Sequence, residues 1–241
     1  SEIIDGINEG GCIILNKDDK FFNYLYSKSI KKKIKIVSFG KNNDANVSFK
    51  RFETNGNLTS LFITFNKKEY CFKIENYLKD FIPNILCVIA VISIYFDLSF
   101  VNKNIFLNYK IPKGRGNKSV IKLGNKRINV IDESYNSNPS SLNFALQKLD
   151  KIKTKSKKIA LLGDMLELGK YSKKLHINAS NLINKTSIDK VYVYGNYIRH
   201  TFNKIKTQKK GKIIVKNDQI INTIKQVLGN NDYLMVKGSN S

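Results

Sequence analysis

Apolar and polar positions follow two different rhythms along this chain, and the change of rhythm divides it. Through the first hundred residues short β-like runs dominate: GCIILN (11–16), IKIVSF (34–39), NVSFKRF (46–52), LTSLFITF (58–65) and YCFKI (70–74). A helical run, DDKFFNYLYSKSI (18–30), lies among them, and GKNND (40–44) and Asn55-Gly56-Asn57 supply turns between them. Strands punctuated in this way predict a mixed sheet. Two helical stretches are expected next, Phe81 to Phe96 and Ser99 to Leu107. The segment IPKGRGNKS (111–119), with a proline, two glycines and clustered charge, then reads as a domain boundary.

Beyond it the pattern becomes strand, loop, helix, repeated. INVID is followed by SNPSSLNFALQKLD, KKIALLGD by KKLHINASNLIN, DKVYVYG by NYIRHTFNKI, and KIIVK by DQIINTIKQVLG; DYLMVKGS ends the series. Strands alternating with helices of this length predict parallel β-α-β units in a doubly wound sheet. Ligands of such sheets sit at the carboxyl ends of the strands, so the residues just after INVI, IALL, VYVY and YLMV are the ones to examine.

Those positions are polar. DESYNSNP (132–139) packs two carboxylates, two hydroxyls and two amides into a loop ending on Pro139, a natural first residue of a helix. GDMLELG (163–169) carries Asp164 and Glu167, with His176 in the next helix, and Lys237-Gly238-Ser239 follows the last strand. Taken singly, Asn138 or Ser137 is a helix cap, Asp164 a turn former, His176 a surface residue and Lys237 a solvated charge. Gathered at one sheet edge, they point to a site for a polar, zwitterionic ligand. GDMLELGKYS is not a phosphate-binding P-loop: five residues separate Gly163 from Gly169, and Tyr171 stands where the hydroxyl should be.

Composition adds less. Lys+Arg of 42 against Asp+Glu of 19 gives a formal charge of +23, which suggests anionic partners. Apart from Lys31 to Lys33 the basic residues are scattered in ones and twos, as on a solvated surface. Cys12, Cys71 and Cys87 lie far apart in apolar surroundings and read as buried thiols of a cytoplasmic protein. The run ILCVIAVISIYF (85–96) is shorter than the ~20 residues of a bilayer span and predicts a buried helix.

DESYNSNPSSL, LLGDMLELGKYSKKLH and VKGSNS, with GRG at 114–116 before them, closely resemble the ATP-dependent Mur ligases. LNKDD (15–19), SFG (38–40) and Asn84 at the head of the long helix extend the resemblance over essentially the whole chain. The SYNxNP and GDMxELG loops mark the member that joins D-alanyl-D-alanine to UDP-N-acetylmuramoyl-tripeptide. The resemblance implies an α/β protein: residues 1–110 as part of a central ATPase-type mixed-sheet domain, and 111–241 as a doubly wound, Rossmann-like acceptor-substrate domain.

Members of this family activate a peptide carboxylate as an acyl phosphate with ATP and Mg2+, and an amine then attacks it. Matched position by position, Asn84 falls on the residue that reads adenine, Arg115 on a hinge arginine that reaches the nucleotide, and Glu133 on its ribose side. Tyr135, Asn136 and Asn138 fall on the loop between ATP and the incoming dipeptide. Asp164, Glu167, Lys237 and Ser239 fall at the dipeptide end, where an ammonium and a carboxylate must be satisfied. The resemblance puts the phosphate loop and magnesium ligands upstream of Ser1, so the chain reads as the carboxyl-terminal two-thirds of a ligase, inactive alone. Leu78-Lys79-Asp80 replaces the family's Gly-x-His pattern. A monomer without a specific nucleic-acid partner is expected. The alternatives are a sibling ligase with another acceptor, a non-catalytic relative, or a basic nucleic-acid-binding α/β protein using Tyr192, Tyr194 and Tyr197 near Arg199 and His200.

Overall fold

The computed structural model describes residues 2–239; Ser1, Asn240 and Ser241, including the end of the VKGSNS motif, lie outside the described residues. The chain forms two units, residues 1–109 and 110–241.

In the first unit a short helix α1 (Glu2–Asp5) precedes β1 (Cys12–Asn16), α2 (Phe22–Lys31), β2 (Lys35–Gly40), β3 (Val47–Asn55), β4 (Leu58–Phe65), β5 (Lys68–Glu75) and α3 (Ile82–Tyr95). The sheet runs β1-β2-β3-β4-β5, with β1 to β3 parallel and β3 to β5 antiparallel. Alternation along β4 and β5 turns Leu61, Ile63, Phe72 and Ile74 inward, where they are buried. The helix α3 packs on β1 to β3 through Ile82, Ile85, Leu86, Ile89 and Ala90. Only one face of it is buried; Val88, Val91 and Tyr95 are exposed. The helical stretch Asn76–Tyr95 counts 20 residues and reaches a mean hydropathy of 1.7 over an 18-residue window, long and apolar enough to cross a membrane by length and composition. Its first six residues are a 3-10 turn carrying Lys79 and Asp80, which leaves an α-helical part of about 21 Å.

Two expectations for this unit are corrected. The second helix over Ser99 to Leu107 is absent: a 3-10 turn at Leu98–Phe100 gives way to turns. Asp97 and Asn102 accept hydrogen bonds from the amides of Ser99 and Asn104, local bonds that compete with a helix. The segment runs along the free edge of β5, where Lys73 N–H donates to Lys103 O at 2.7 Å. The three cysteines are half-buried free thiols rather than core residues; burial raises the pKa of Cys87 and of Cys12, the latter opposed by Lys35.

The second unit consists of β6 (Asn117–Leu123), β7 (Lys126–Glu133), α4 (Pro139–Asp150), β8 (Lys158–Gly163), α5 (Ser172–Ile183), β9 (Lys190–Tyr194), α6 (Ile198–Lys204), β10 (Lys210–Ile214), α7 (Asp218–Val227) and β11 (Tyr233–Lys237). The sheet order is β10-β9-β8-β11-β7-β6, parallel except for β6. From β7 through β8 and β9 to β10 the chain steps one way across the sheet, and from β10 to β11 it steps back. Right-handed crossovers in opposite directions put their helices on opposite faces. Accordingly Ala160, Leu162, Val191, Val193 and Met235 pack with α4, α5 and α6, while Ile159, Leu161, Tyr192 and Leu234 pack with α7. The central strand β8 is buried on both faces, which explains its unbroken run IALL. The edge strand β6 was not among the strands expected from the sequence: it begins inside the boundary segment, at Asn117, and runs four residues past it. It pairs with β7 through a tight turn at Gly124-Asn125, with Gly124 at φ 58°.

Candidate functional site

Parallel register brings the carboxyl ends of four strands level: Lys237 stands beside Glu133 on one side and Leu162 on the other, and Gly163 stands beside Tyr194. They border an open cleft of about 580 Å³. Its floor is narrow in side chains because two glycines meet there. A Cβ on Gly163 would lie 3.2 Å from Gly238 Cα, so the ends of β8 and β11 pack backbone on backbone.

One wall is the arch 113–117 docked on the loop after β7. The Asp132 carboxylate accepts from Gly114 N–H (3.1 Å), Ser134 N–H (3.1 Å) and the Ser134 hydroxyl (2.6 Å). Gly116 N–H donates to Asp132 O at 2.7 Å, and Tyr135 N–H to Gly114 O at 3.0 Å. Gly114 sits at φ 76°, and a Cβ there would come within 2.7 Å of the Tyr135 nitrogen. The arch therefore requires glycine on both counts. It presents an exposed Arg115, whose guanidinium lies 4.1 Å from the centre of the Tyr135 ring, itself 54% exposed. Gly116, at φ 92°, passes close over Glu133: a Cβ on it would be 2.7 Å from Glu133 Oε1. Arg115 and Glu133, matched to the nucleotide, and Tyr135, matched to the loop beside it, are thus brought together. Asn84 belongs to the first unit, exposed on the first turn of α3.

The residues matched to the acceptor fare differently. Asn138 caps α4: its side chain accepts from Ser141 N–H at 2.8 Å, and the Ser141 hydroxyl accepts from Asn138 N–H at 3.0 Å. Asp164 turns away from the cleft, and its two oxygens accept from Asn196 N–H (2.9 Å) and Ile198 N–H (2.7 Å) at the head of α6. Gly195, at φ 136°, clears the way, since a Cβ there would lie 2.5 Å from Asp164 Oδ1. Ser239 Oγ accepts from Ser137 N–H (3.3 Å) and Leu166 N–H (3.1 Å) and donates to Asn136 Oδ1 (3.0 Å), tying together three strand-end loops. Glu167 is exposed in a left-handed turn at φ 60°, and its carboxylate has no partner among the described residues.

Lys237 is 3% exposed, not a solvated charge. Its ammonium donates to Asn136 O at 2.9 Å and Glu133 O at 3.3 Å. Burial lowers its pKa, and the charge of Glu133 pulls the other way. His176 is also buried, not at the surface. Its Nε2 accepts from Met165 N–H at 3.0 Å, its Nδ1–H donates to Ser172 O at 2.8 Å, and its ring stacks on Tyr197. It braces the 164–169 loop from beneath. The cleft lining also includes Asp132, Tyr194, Asn217 and Ile220, which sequence reasoning did not assign. Tyr194 ends a strand already singled out; Asn217, at the head of α7, and Ile220 within it come from across the sheet, and nothing local to them announces it.

The sequence of residues 120–240 matches the family model described as Mur ligase, glutamate ligase domain, and residues 1–92 match that of the Mur ligase middle domain. Over 241 residues the chain is 26% identical to the UDP-N-acetylmuramoyl-tripeptide--D-alanyl-D-alanine ligase of Rickettsia prowazekii, covering 99% of this chain and 52% of that protein. The ligase of the same name from Bacillus subtilis is 26% identical over 80% of this chain and 40% of its own length. The chain thus spans about half the length of the relatives it matches, less than the two-thirds expected. In structure it superposes on MurF from Acinetobacter baumannii with a TM-score of 0.75 at 20% identity, over 99% of this chain and 51% of that one. On the Thermotoga maritima MurF ligase solved with ADP the score is 0.70 at 20% identity, over 99% and 52%. Two family models in tandem, and a fold shared along the whole chain, identify this protein as a member of the Mur ligase family.

Proposed function

We propose that this chain carries the acceptor half of an ATP-dependent ligase that joins D-alanyl-D-alanine to UDP-N-acetylmuramoyl-tripeptide. The observation that carries this reading is the cleft at the ends of β7, β8, β9 and β11. It is walled by the SYNSNP loop and the arginine arch, at the edge where a doubly wound sheet binds ligands. The relatives that bear this activity in their names support it.

The residues have chemistry to match. Arg115, exposed and lying over the Tyr135 ring, offers a planar fork suited to a phosphate. ATP, when bound, would supply the phosphoryl group that activates a carboxylate; beside Arg115, Glu133 is the other candidate on this wall to hold it. Among the described residues no group of three or more His, Cys, Asp or Glu is placed to hold a metal ion. On the acceptor side, Glu167 is the carboxylate left available for an ammonium. Asn136 and Ser239 form a hydroxyl-amide pair at the rim whose hydrogen bonds a ligand carboxylate can exchange.

The test measures ADP release by the gene's full-length product, with the UDP-tripeptide and with either D-alanyl-D-alanine or single amino acids as acceptor. Release requiring both the UDP-tripeptide and the dipeptide is expected. Equal release with a single amino acid would assign the chain to a sibling ligase. Arg115→Ala should weaken nucleotide binding by about 1.5–3 kcal/mol, as for loss of a charge-assisted contact. Affinity unchanged by that substitution would remove Arg115 from the nucleotide site.

A further inference from the structure

Lys237 is the one residue of the VKGS segment whose chemistry looks out of place. A lysine on a β-strand between two other strands, 3% exposed, gives up most of the hydration of its charge. Such a residue needs partners, and the hydrogen bonds it makes run to main-chain carbonyls, those of Glu133 and Asn136. The two carbonyls bracket Ser134 and Tyr135, so one ammonium grips the loop at both ends of its exposed turn. That turn carries the Tyr135 ring on which Arg115 lies. Immediately after it, the Asn136 side chain and the Ser137 amide meet the Ser239 hydroxyl. The lysine thus links β11 to the loop after β7, where strand pairing ends at Glu133.

We propose that Lys237 is a positioning residue for amide-bond formation, a two-pronged tie that fixes the 133–136 main chain and, through it, Tyr135 and the Asn136–Ser239 pair. This departs from the family match, which puts Lys237 among the groups touching the dipeptide; it rests on the ligase reading only for the reaction served. Backbone carbonyls are suitable anchors because they fix the loop whatever its side chains do. The charge matters because a charge-assisted hydrogen bond is about twice as strong as a neutral one. The Ser239 latch acts only on Asn136 and Ser137, beyond Tyr135, and the Ser134 and Tyr135 amides bond within their own wall, so Lys237 adds the side-chain tie from β11 to both ends of the turn.

The experiment has two arms. In the first, amide hydrogen exchange is followed in the 241-residue chain for wild type, Lys237→Met and Lys237→Gln. Methionine keeps the stem and removes every donor; glutamine restores a neutral donor. Exchange at Tyr135 and Ser137 should rise at least tenfold in the Met variant and less in the Gln variant, with the amides of β8 and β9 as slow as in wild type. If Tyr135 and Ser137 stay protected in a folded Met variant, the tie does not exist. If the Met variant does not fold, the Gln variant decides alone: exchange there equal to wild type overturns the proposal.

The second arm uses the full-length ligase. There Lys237→Met should lower kcat at least tenfold and change KM for D-alanyl-D-alanine less than threefold, with Lys237→Gln recovering part of kcat. A rise in KM at unchanged kcat would make Lys237 a dipeptide ligand and sink the positioning role. If wild-type protein shows no ligase activity, the ligase reading fails while the first arm still judges the tie.

Discussion

Asp164 is where the family match and the geometry disagree most, and the disagreement can be measured. The match makes its carboxylate a partner for a substrate ammonium. The structure spends both oxygens on the amides that open α6, 2.7 Å from Ile198 N and 2.9 Å from Asn196 N. In Asp164→Ala these amides lose their acceptor with unequal consequence. Asn196 is exposed, so water replaces most of what it loses; Ile198 is fully buried, and its N–H is left unsatisfied. An unsatisfied buried donor costs about 1–3 kcal/mol, and loss of favourable charge at a helix N-terminus adds ~0.3–1 kcal/mol. The expected loss is therefore about 1–4 kcal/mol, or roughly 3–16 °C in Tm for a chain of this size. Asp164→Asn keeps one acceptor for Ile198 and should lose about half as much. Thermal unfolding followed by circular dichroism gives the size of the loss, and amide exchange over α6 gives its location. Should Asp164→Asn leave Tm and exchange unchanged while D-alanyl-D-alanine affinity drops tenfold, the carboxylate serves the ligand and the assignment to α6 is wrong.

Two further expectations concern the second unit. Gly114→Ala forces a Cβ into a left-handed position 2.7 Å from the Tyr135 nitrogen, so the arch must shift; a loss of about 1–3 kcal/mol in urea unfolding is expected, together with weaker nucleotide binding. A substitution as stable as wild type would mean that the arch is not clamped on Tyr135. Asp150 accepts from the amide and hydroxyl of Ser187 at 2.6 and 2.7 Å, and the amide bond, ahead of Lys158 and Lys209, lowers its pKa below 3.8, against the desolvation that raises it. With the folded pKa depressed, the stabilisation is complete above 3.8 and disappears as pH falls through the folded value. The stability gap between wild type and Asp150→Asn should accordingly be widest near neutrality and close well below 3.8; a gap that persists there would assign the effect to packing.

The fold was legible wherever burial is continuous. IALL, VYVY and YLMV read as strands of a parallel sheet because β8, β9 and β11 are buried along most of their length, and the helix period of SSLNFALQKLD showed in the burial of Leu142, Ala145, Leu146 and Leu149 on α4. Legibility failed where local hydrogen bonds or edges take over. The Asn-rich stretch after Asp97 turns on its own side chains instead of forming a helix. Strand β6, with one side unpaired, tolerates lysines that read as linker.

The site was legible as a place and only partly as a set of roles, for a reason visible in its hydrogen bonds. Polar residues after parallel strands converge on one cleft because the register makes them converge, and that much follows from the repeat of strand and helix. Which of them faces a ligand depends on what the main chain demands first. Asn138, Asp164, His176 and Lys237 each meet amides or carbonyls that helix starts and strand ends leave unpaired. The demand on Asn138 is local and shows in the sequence as a helix cap; the others come from residues up to 104 positions away, as in the bond from Lys237 to Glu133, and no local pattern displays them. Once they are met, the exposed Arg115, Tyr135 and Glu167 are left with side chains the backbone does not claim, so the chemistry open to a ligand belongs to them first.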